Sequence, residues 1–354
     1  MDLVWLLETI GEDRAVALAG LLVGVVFGIA AQRSQFCLRA AAVEFARGNI
    51  GPKTAIWLLT FATALFWTQG AIFFDVISLD QARMLAAPGS ISGAIIGGLI
   101  FGAGMVLARG CSGRLLVLAA TGNLRAVISG LVFAVVAQMS LHGLLSPLRD
   151  WLAGLWITPN GANVQILDSL GLPGWFGAVI GLGFAVYALY VAYKNRVGKR
   201  ILFMASGVGF AVALGWFLTY SLSSVSFDPV QIESATFTGP SADTLMFFLS
   251  RNAALDFDVG LVPGVFLGAF LAAAWSHELK LQGFESGASM RRYLTGAAMM
   301  GFGGMLAGGC AIGAGVTGGS AFALTAWIAL TFFWIGAAIT DRLVDNRTPQ
   351  ALPA

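Results

Sequence analysis

Nine stretches of the chain are each apolar over about the 20 residues that an α-helix needs to cross a hydrocarbon core. They run near Ala15–Ala31, Thr54–Phe74, Ile91–Ala108, Ala126–Leu145, Gly174–Tyr193, Ile201–Tyr220, Val259–Ser276, Tyr293–Gly308 and Ala321–Thr340. A chain of 354 residues cannot hide that many apolar segments in one water-soluble core. Composition agrees: 58% of residues are hydrophobic and 11% charged, against roughly 45–50% and 25% in soluble domains. The expected fold class is an all-α integral membrane protein with about nine transmembrane helices.

Loop charges give an orientation. Lys and Arg accumulate in short cytoplasmic loops. With the N-terminus outside, sixteen of the twenty basic residues fall on the cytoplasmic side, among them Arg33, Arg39, Arg47, Lys53, Arg109, Arg114, Arg125, Arg291, Arg292, Arg342 and Arg347. The outer segments hold Arg14, Arg83, Arg149 and Arg251. A missed or invented span would scramble this alternation, so the expectation is N-terminus outside and C-terminus cytoplasmic. Met1–Arg14 carries four acids and one base, the opposite of the basic start of a signal peptide. A net charge of +2 without basic clusters gives no reason to expect a nucleic-acid partner; the partner expected from composition is the lipid bilayer.

Four loops hold apolar stretches too short to span: Gln32–Lys53, Arg109–Arg125, Ser221–Asp258 and Gly309–Ser320. Flanked by Gly or Pro, such pieces read as short re-entrant helices, which survive at membrane depth only when buried in protein or lining a cavity.

A shift of 199 residues lays Ser90–Cys111 on Ser289–Cys310 with eight identities in 22 positions, including Gly97/Gly296, Gly104/Gly303, Gly110/Gly309 and Cys111/Cys310. The two copies fall on opposite sides of the membrane, so the expected architecture is two inverted repeats. Residues 1–146 form the first half, 147–173 a connector without a span, and 174–354 the second half of a single membrane domain. In such transporters the substrate site lies where the repeats meet. The same shift sets Cys37 opposite Thr236.

Candidate chemistry sits in these loops. Gly110-Cys111-Ser112-Gly113 and Gly308-Gly309-Cys310-Ala311 each follow a Gly-rich span and precede a short helix-compatible piece. Glycine lets the chain turn, and the next helix begins with free N–H groups and the positive end of its dipole, which suits an anion. A lone cysteine is commonly a buried apolar filler; here Cys37, Cys111 and Cys310 all lie outside spans and two of them recur in register. Arg114 can attract an anion, although positive-inside anchoring also accounts for it. Thr236 and Thr238 can donate hydroxyl hydrogen bonds, although local turn bonding would use them too. Gln138 and His142 share a face inside the fourth span and read as interhelical hydrogen-bonding residues. Two separated histidines and three cysteines make neither a zinc site nor a disulfide framework, so no metal and no cofactor is expected. A Walker motif and a catalytic Ser/His/Asp set are absent, and the chain is not expected to be an enzyme.

The motifs Arg33-Ser-Gln-Phe-Cys37, Arg109-Gly-Cys-Ser-Gly113 and Ala307-Gly-Gly-Cys-Ala-Ile-Gly313, in this order, resemble the YeeE/YedE family of bacterial thiosulfate transporters. The resemblance implies a bacterial inner-membrane protein that takes up thiosulfate, a small sulfur-containing anion, through an hourglass-shaped path lined by a relay of Cys37, Cys111 and Cys310. Other sulfur or selenium species are alternative substrates. A membrane sulfurtransferase forming cysteine persulfides is the alternative activity, and a passive channel or structural membrane partner a third reading. A separate cytoplasmic sulfur-carrier protein is a conceivable partner, since the sequence has no fused carrier domain.

Overall fold

The computed structural model describes residues 7, 9–227, 229–251, 254–283 and 287–345. Arg347 and most of the acidic stretch before Thr9 lie outside them.

The described chain is built of helices: α1 Glu12–Ser34, α2 Leu38–Ala46, α3 Pro52–Phe73, α4 Arg83–Ala86, α5 Ile91–Leu107, α6 Ser112–Ala120, α7 Leu124–Leu141, α8 Ser146–Gly154, α9 Ile166–Ser169, α10 Trp175–Lys194, α11 Lys199–Ser223, α12 Thr238–Leu249, α13 Phe257–Trp275, α14 Gly287–Leu306, a π-helix Ala311–Gly318 (π1), α15 Leu324–Thr340 and a second π-helix Asp341–Asp345. Among the described residues nine helical segments are long and apolar enough to cross a membrane, and the protein is a multi-pass membrane protein.

Eight of the nine expected spans agree with the helices to within about three residues at most ends; α14 begins at Gly287, well before Tyr293. The fourth ends early, because His142 caps α7 instead of lying inside it. His142 is therefore not an intraspan hydrogen-bonding residue, and Gln138 Oε1 is buried without a hydrogen-bond partner. The short apolar pieces form α2, α6, α12 and π1.

Glycine decides the packing. Without a driving force between apolar helices in lipid, small residues that let backbones touch are favoured at interfaces. At Gly24 of α1 a Cβ would collide with the backbone of Leu261 and Gly264 on α13; a Cβ on Gly97 or Gly104 of α5 would stand 2.6 Å from the carbonyl oxygen of Gly303 or Gly296 of α14. The last crossing is antiparallel. Further pairs are α5 with α15, α7 with α14, α1 and α3 with α11, and α3 with α10. Short helices pack in a matched pattern: α2 on α3 and α15, α12 on α13 and α7, α6 on α7 and α13, and π1 on α15 and α3.

One end of the bundle collects ionic contacts. Arg47 grips buried Asp341 with two 2.8 Å hydrogen bonds. Arg39 and Arg292 share Asp345. Arg33 bonds Ser276 and pairs with Glu278. The opposite end is closed by the segment between α7 and α10, which the sequence marked only as a connector. Ser90 and Ser92 donate to Ala153 and Leu152 carbonyls, and Asn163 Nδ2 donates to Met84 O and Thr325 Oγ1.

Candidate functional site

Each cysteine occupies the N-cap of a short buried helix: Cys37 before α2, Cys111 before α6, Cys310 before π1. The turns that put them there are specific. After α5 the chain reverses at Arg109, whose φ is 55°. After α14 it reverses at Gly308, with φ of 78°, in the left-handed region that favours glycine. A Cβ on Gly309 would lie 2.7 Å from the Ala314 amide nitrogen, so no larger residue fits there. Sγ of Cys310 accepts the Gly313 N–H at 3.4 Å, placing the sulfur over the open first turn, where orphan donors cluster.

The predicted residues separate into two groups. Toward the ionic end, the Cys37 and Cys111 thiols face each other; the Ala40 amide also points at Cys37 and the Leu38 and Arg114 amides at Cys111. Both cysteines are free. Arg114 and Lys53 direct positive charge at this pair, and Arg114 Nη1 is buried without a partner. Gly110 packs at this turn against Leu115.

Toward the other end, Cys310 lies 4.0 Å from Thr236 Oγ1. Thr236 is seated on Gly313, where any side chain would displace it. Its loop is fixed from both sides: Thr219 Oγ1 donates to Glu233 O at 2.7 Å, Ser234 Oγ to Val212 O at 2.6 Å and Thr317 Oγ1 to Ala235 O at 2.5 Å. Thr238 is the first residue of α12 and 1% exposed, and its Oγ1 has no partner. Thr236, Thr238, Gly308 and Gly309 line a cavity of about 370 Å³.

Between the groups lies Phe237. Its ring and Ile312 abut Gly113, at 3.2 and 3.7 Å from where a Cβ would stand, and Phe27 closes on it with ring centroids 5.0 Å apart. Both Phe237 and Ile312 are buried. The two thiol regions are thus separated by an apolar septum.

The cavity also contains residues that sequence reasoning missed. Arg83, Arg149, Asp150, Glu233 and Asn163 line it. Arg83 and Arg149 bring guanidinium groups to this wall, Arg149 paired with Asp150 at 2.6 Å. Two of the four basic residues assigned to that side were the available signal. Burial pushes the Glu233 carboxyl up to about 7; Arg83 pulls it down, and Asp256 and Asp243 push it up further. Asp243 is likewise raised, by burial and by Asp256. Behind Gly239 of the cavity wall stands Asp258, with Oδ2 3.7 Å from the Gly239 Cβ position. It is 4% exposed and its Oδ1 has no partner. Among the described residues no group of three or more His, Cys, Asp or Glu could hold a metal ion.

The arrangement offers weak donors, open helix starts and the guanidinium of Arg83 to a small anion. Comparison with known proteins is consistent with that chemistry. The profile of the family described as Sulphur transport matches residues 33–339. A Spirochaeta thermophila protein named Thiosulfate transporter TsuA is 31% identical over 330 residues, covering 90% of this chain and 96% of its own. An Escherichia coli protein of the same name is 26% identical over 364 residues, covering 95% and 96%. With the family profile spanning most of its length and every one of its three cysteines inside the match, the chain belongs to the sulphur transport family.

Proposed function

We propose that the protein is a transporter that takes up thiosulfate, with Cys310, Cys111 and Cys37 acting in that order as neutral hydrogen-bond donors. The observation that carries this reading is the recurrence of a cysteine at the N-cap of three short buried helices. A thiolate facing a dianion would repel it, whereas S–H donates a weak hydrogen bond to sulfur or oxygen. Several weak sites in series hold an ion loosely enough to release it, as conduction requires. Thr236 and Thr238 supply hydroxyl donors to the first site, Gly308 and Gly309 form the turn that lines it, and Arg114 and Gly110 serve the second site.

The orientation proposed is N-terminus outside in a bacterial inner membrane, which turns the cavity outward and the Cys37–Cys111 pair toward the cytoplasm. The two halves are proposed to be inverted repeats. Under the 199-residue shift the Gly97–Gly303 contact maps onto Gly296–Gly104, and each helix pair has a counterpart when α1, α2, α3, α5, α6 and α7 are matched to α11, α12, α13, α14, π1 and α15. On this reading α10 stands outside the repeat. Delivery to a separate sulfur-carrier protein is compatible with the proposal and not required by it.

The test is uptake of labelled thiosulfate into sealed vesicles containing only this protein. Label arriving inside as intact thiosulfate supports transport. Label left on protein as a persulfide that forms and decays at the uptake rate would replace transport by sulfur transfer.

A further inference from the structure

The cavity wall contains acids that an anion path alone would not need. Glu233 lines the cavity, and among the described residues its carboxylate forms no ion pair. Asp258 stands behind Gly239 with a buried, unpartnered oxygen. An isolated buried carboxylate is so costly that such a group normally stays neutral or finds a partner. Thr238, unpartnered and buried on the same wall, marks the place for the anion. An ionised Glu233 there would repel a dianion; a protonated one would not. Anion and proton therefore favour each other's binding, and the effect is reciprocal.

We propose that Glu233 and Asp258 form a proton-binding pair at this cavity, loaded together with the anion, so that uptake is coupled to proton influx. This rests on the transport reading above. Each turnover binds protons from the cavity side on these carboxylates and discharges them on the opposite side, with no covalent change. Glu233 exchanges directly with the cavity and Asp258 through the Gly239 wall.

The charged groups around the pair set where it titrates. Arg83, the first residue of α4, favours ionised Glu233, whereas Asp243 of α12 and Asp256 at the α13 N-cap favour the protonated form. His142, at the end of α7, acts on Asp243. Glu12, Asp13 and Arg14 lie at the same end of α1; Glu12 is held by Ser226 and the Phe227 N–H. Glu233 stands near 7, and its protonated fraction rises as the pH falls through that value.

The experiment uses liposomes holding the full chain, labelled thiosulfate outside, a pH-sensitive dye inside and an imposed inside-negative potential. The expected results are internal acidification that requires thiosulfate, and uptake that falls about tenfold between external pH 6 and pH 8, as one group titrating near 7 implies. Glu233→Gln and, separately, Asp258→Asn should flatten the pH profile of the remaining uptake and abolish acidification. Arg83→Gln should move the midpoint to higher pH and Asp243→Asn to lower pH, shifts that a purely structural role would not produce. Uptake that is independent of pH and moves no protons overturns the coupling and leaves the transport reading standing. No thiosulfate uptake under any condition overturns both.

Discussion

Replacing Thr238 by valine removes one hydroxyl and keeps the shape, and the consequences for stability and for transport have opposite signs. Thr238 Oγ1 is buried at the start of α12 without a partner. Leaving a buried polar group unsatisfied costs about 1–3 kcal/mol, so Thr238→Val should stabilise the unliganded protein by up to that amount. If the hydroxyl is unsatisfied because it awaits the anion, the same change removes a hydrogen bond to a charged group, about 1.5–3 kcal/mol. At about 1.4 kcal/mol per tenfold, affinity should drop roughly 10- to 150-fold. The assay pairs thermal unfolding in detergent, with and without thiosulfate, with the concentration dependence of uptake. A higher Tm without ligand, a smaller ligand-induced rise and a raised KM are expected. An unchanged KM alongside a lowered Tm would refute the reasoning and make Thr238 a local turn residue.

Cys→Ser at positions 310, 111 and 37 should retain partial uptake, because a hydroxyl still donates, while Cys→Ala should lose more; the comparison is read as initial rates in vesicles normalised to inserted protein. Gly309→Ala, whose new methyl would meet the Ala314 backbone at 2.7 Å, should reduce the yield of folded protein in detergent chromatography. The Arg83 side chain at the cavity mouth is exposed, so Arg83→Gln should raise KM only about 2- to 5-fold, in line with the 0.5–1 kcal/mol scale of exposed charges, and 0.5 M salt should erase the difference. A reporter fused after Ala354 should read cytoplasmic; a signal from the other side would remove the proposed orientation.

The spans were legible because the hydrophobic threshold for crossing a bilayer is severe and the loops alternate in charge. The short helices were legible as apolar pieces bracketed by Gly and Pro, and Cys111 and Cys310 because they recur in register. Other features depend on contacts between distant segments. Arg83 of α4, Arg149 of α8 and Glu233 of the loop before α12 come from three separate segments and meet only where the chain between α7 and α10 folds over the cavity. Asp258 sits one residue before the expected seventh span and looked like a loop acid, whereas α13 begins at Phe257 and draws it into the protein. Phe237 in sequence is one more aromatic residue beside two threonines; its role as septum depends on Gly113 and Phe27 from α6 and α1. His142 shows the opposite error, since apolar residues continue to Leu145 but the helix does not.

The energetics of the proposed function bear on which parts of the site can act alone. Carrying a dianion inward against an inside-negative potential of about 150 mV costs about 7 kcal/mol, at roughly 2.3 kcal/mol per charge per 100 mV. A relay of neutral donors lowers the barrier along the path and leaves that difference untouched, because the same thiols act on an ion moving either way. Consumption inside would have to hold the free anion about 10⁵-fold below its outside level to compensate, at about 1.4 kcal/mol per tenfold. Two protons moving with the anion cancel its charge, and the electrical cost disappears. On the proposed reading, the thiols and hydroxyls at the N-caps serve passage and selectivity, and Glu233 and Asp258 at the cavity wall set direction. Vesicles with an inside-negative potential, no cation gradient and no acceptor should therefore equilibrate thiosulfate at its outside concentration; equilibration far below it would show an uncoupled anion path, and accumulation above it would contradict the coupling.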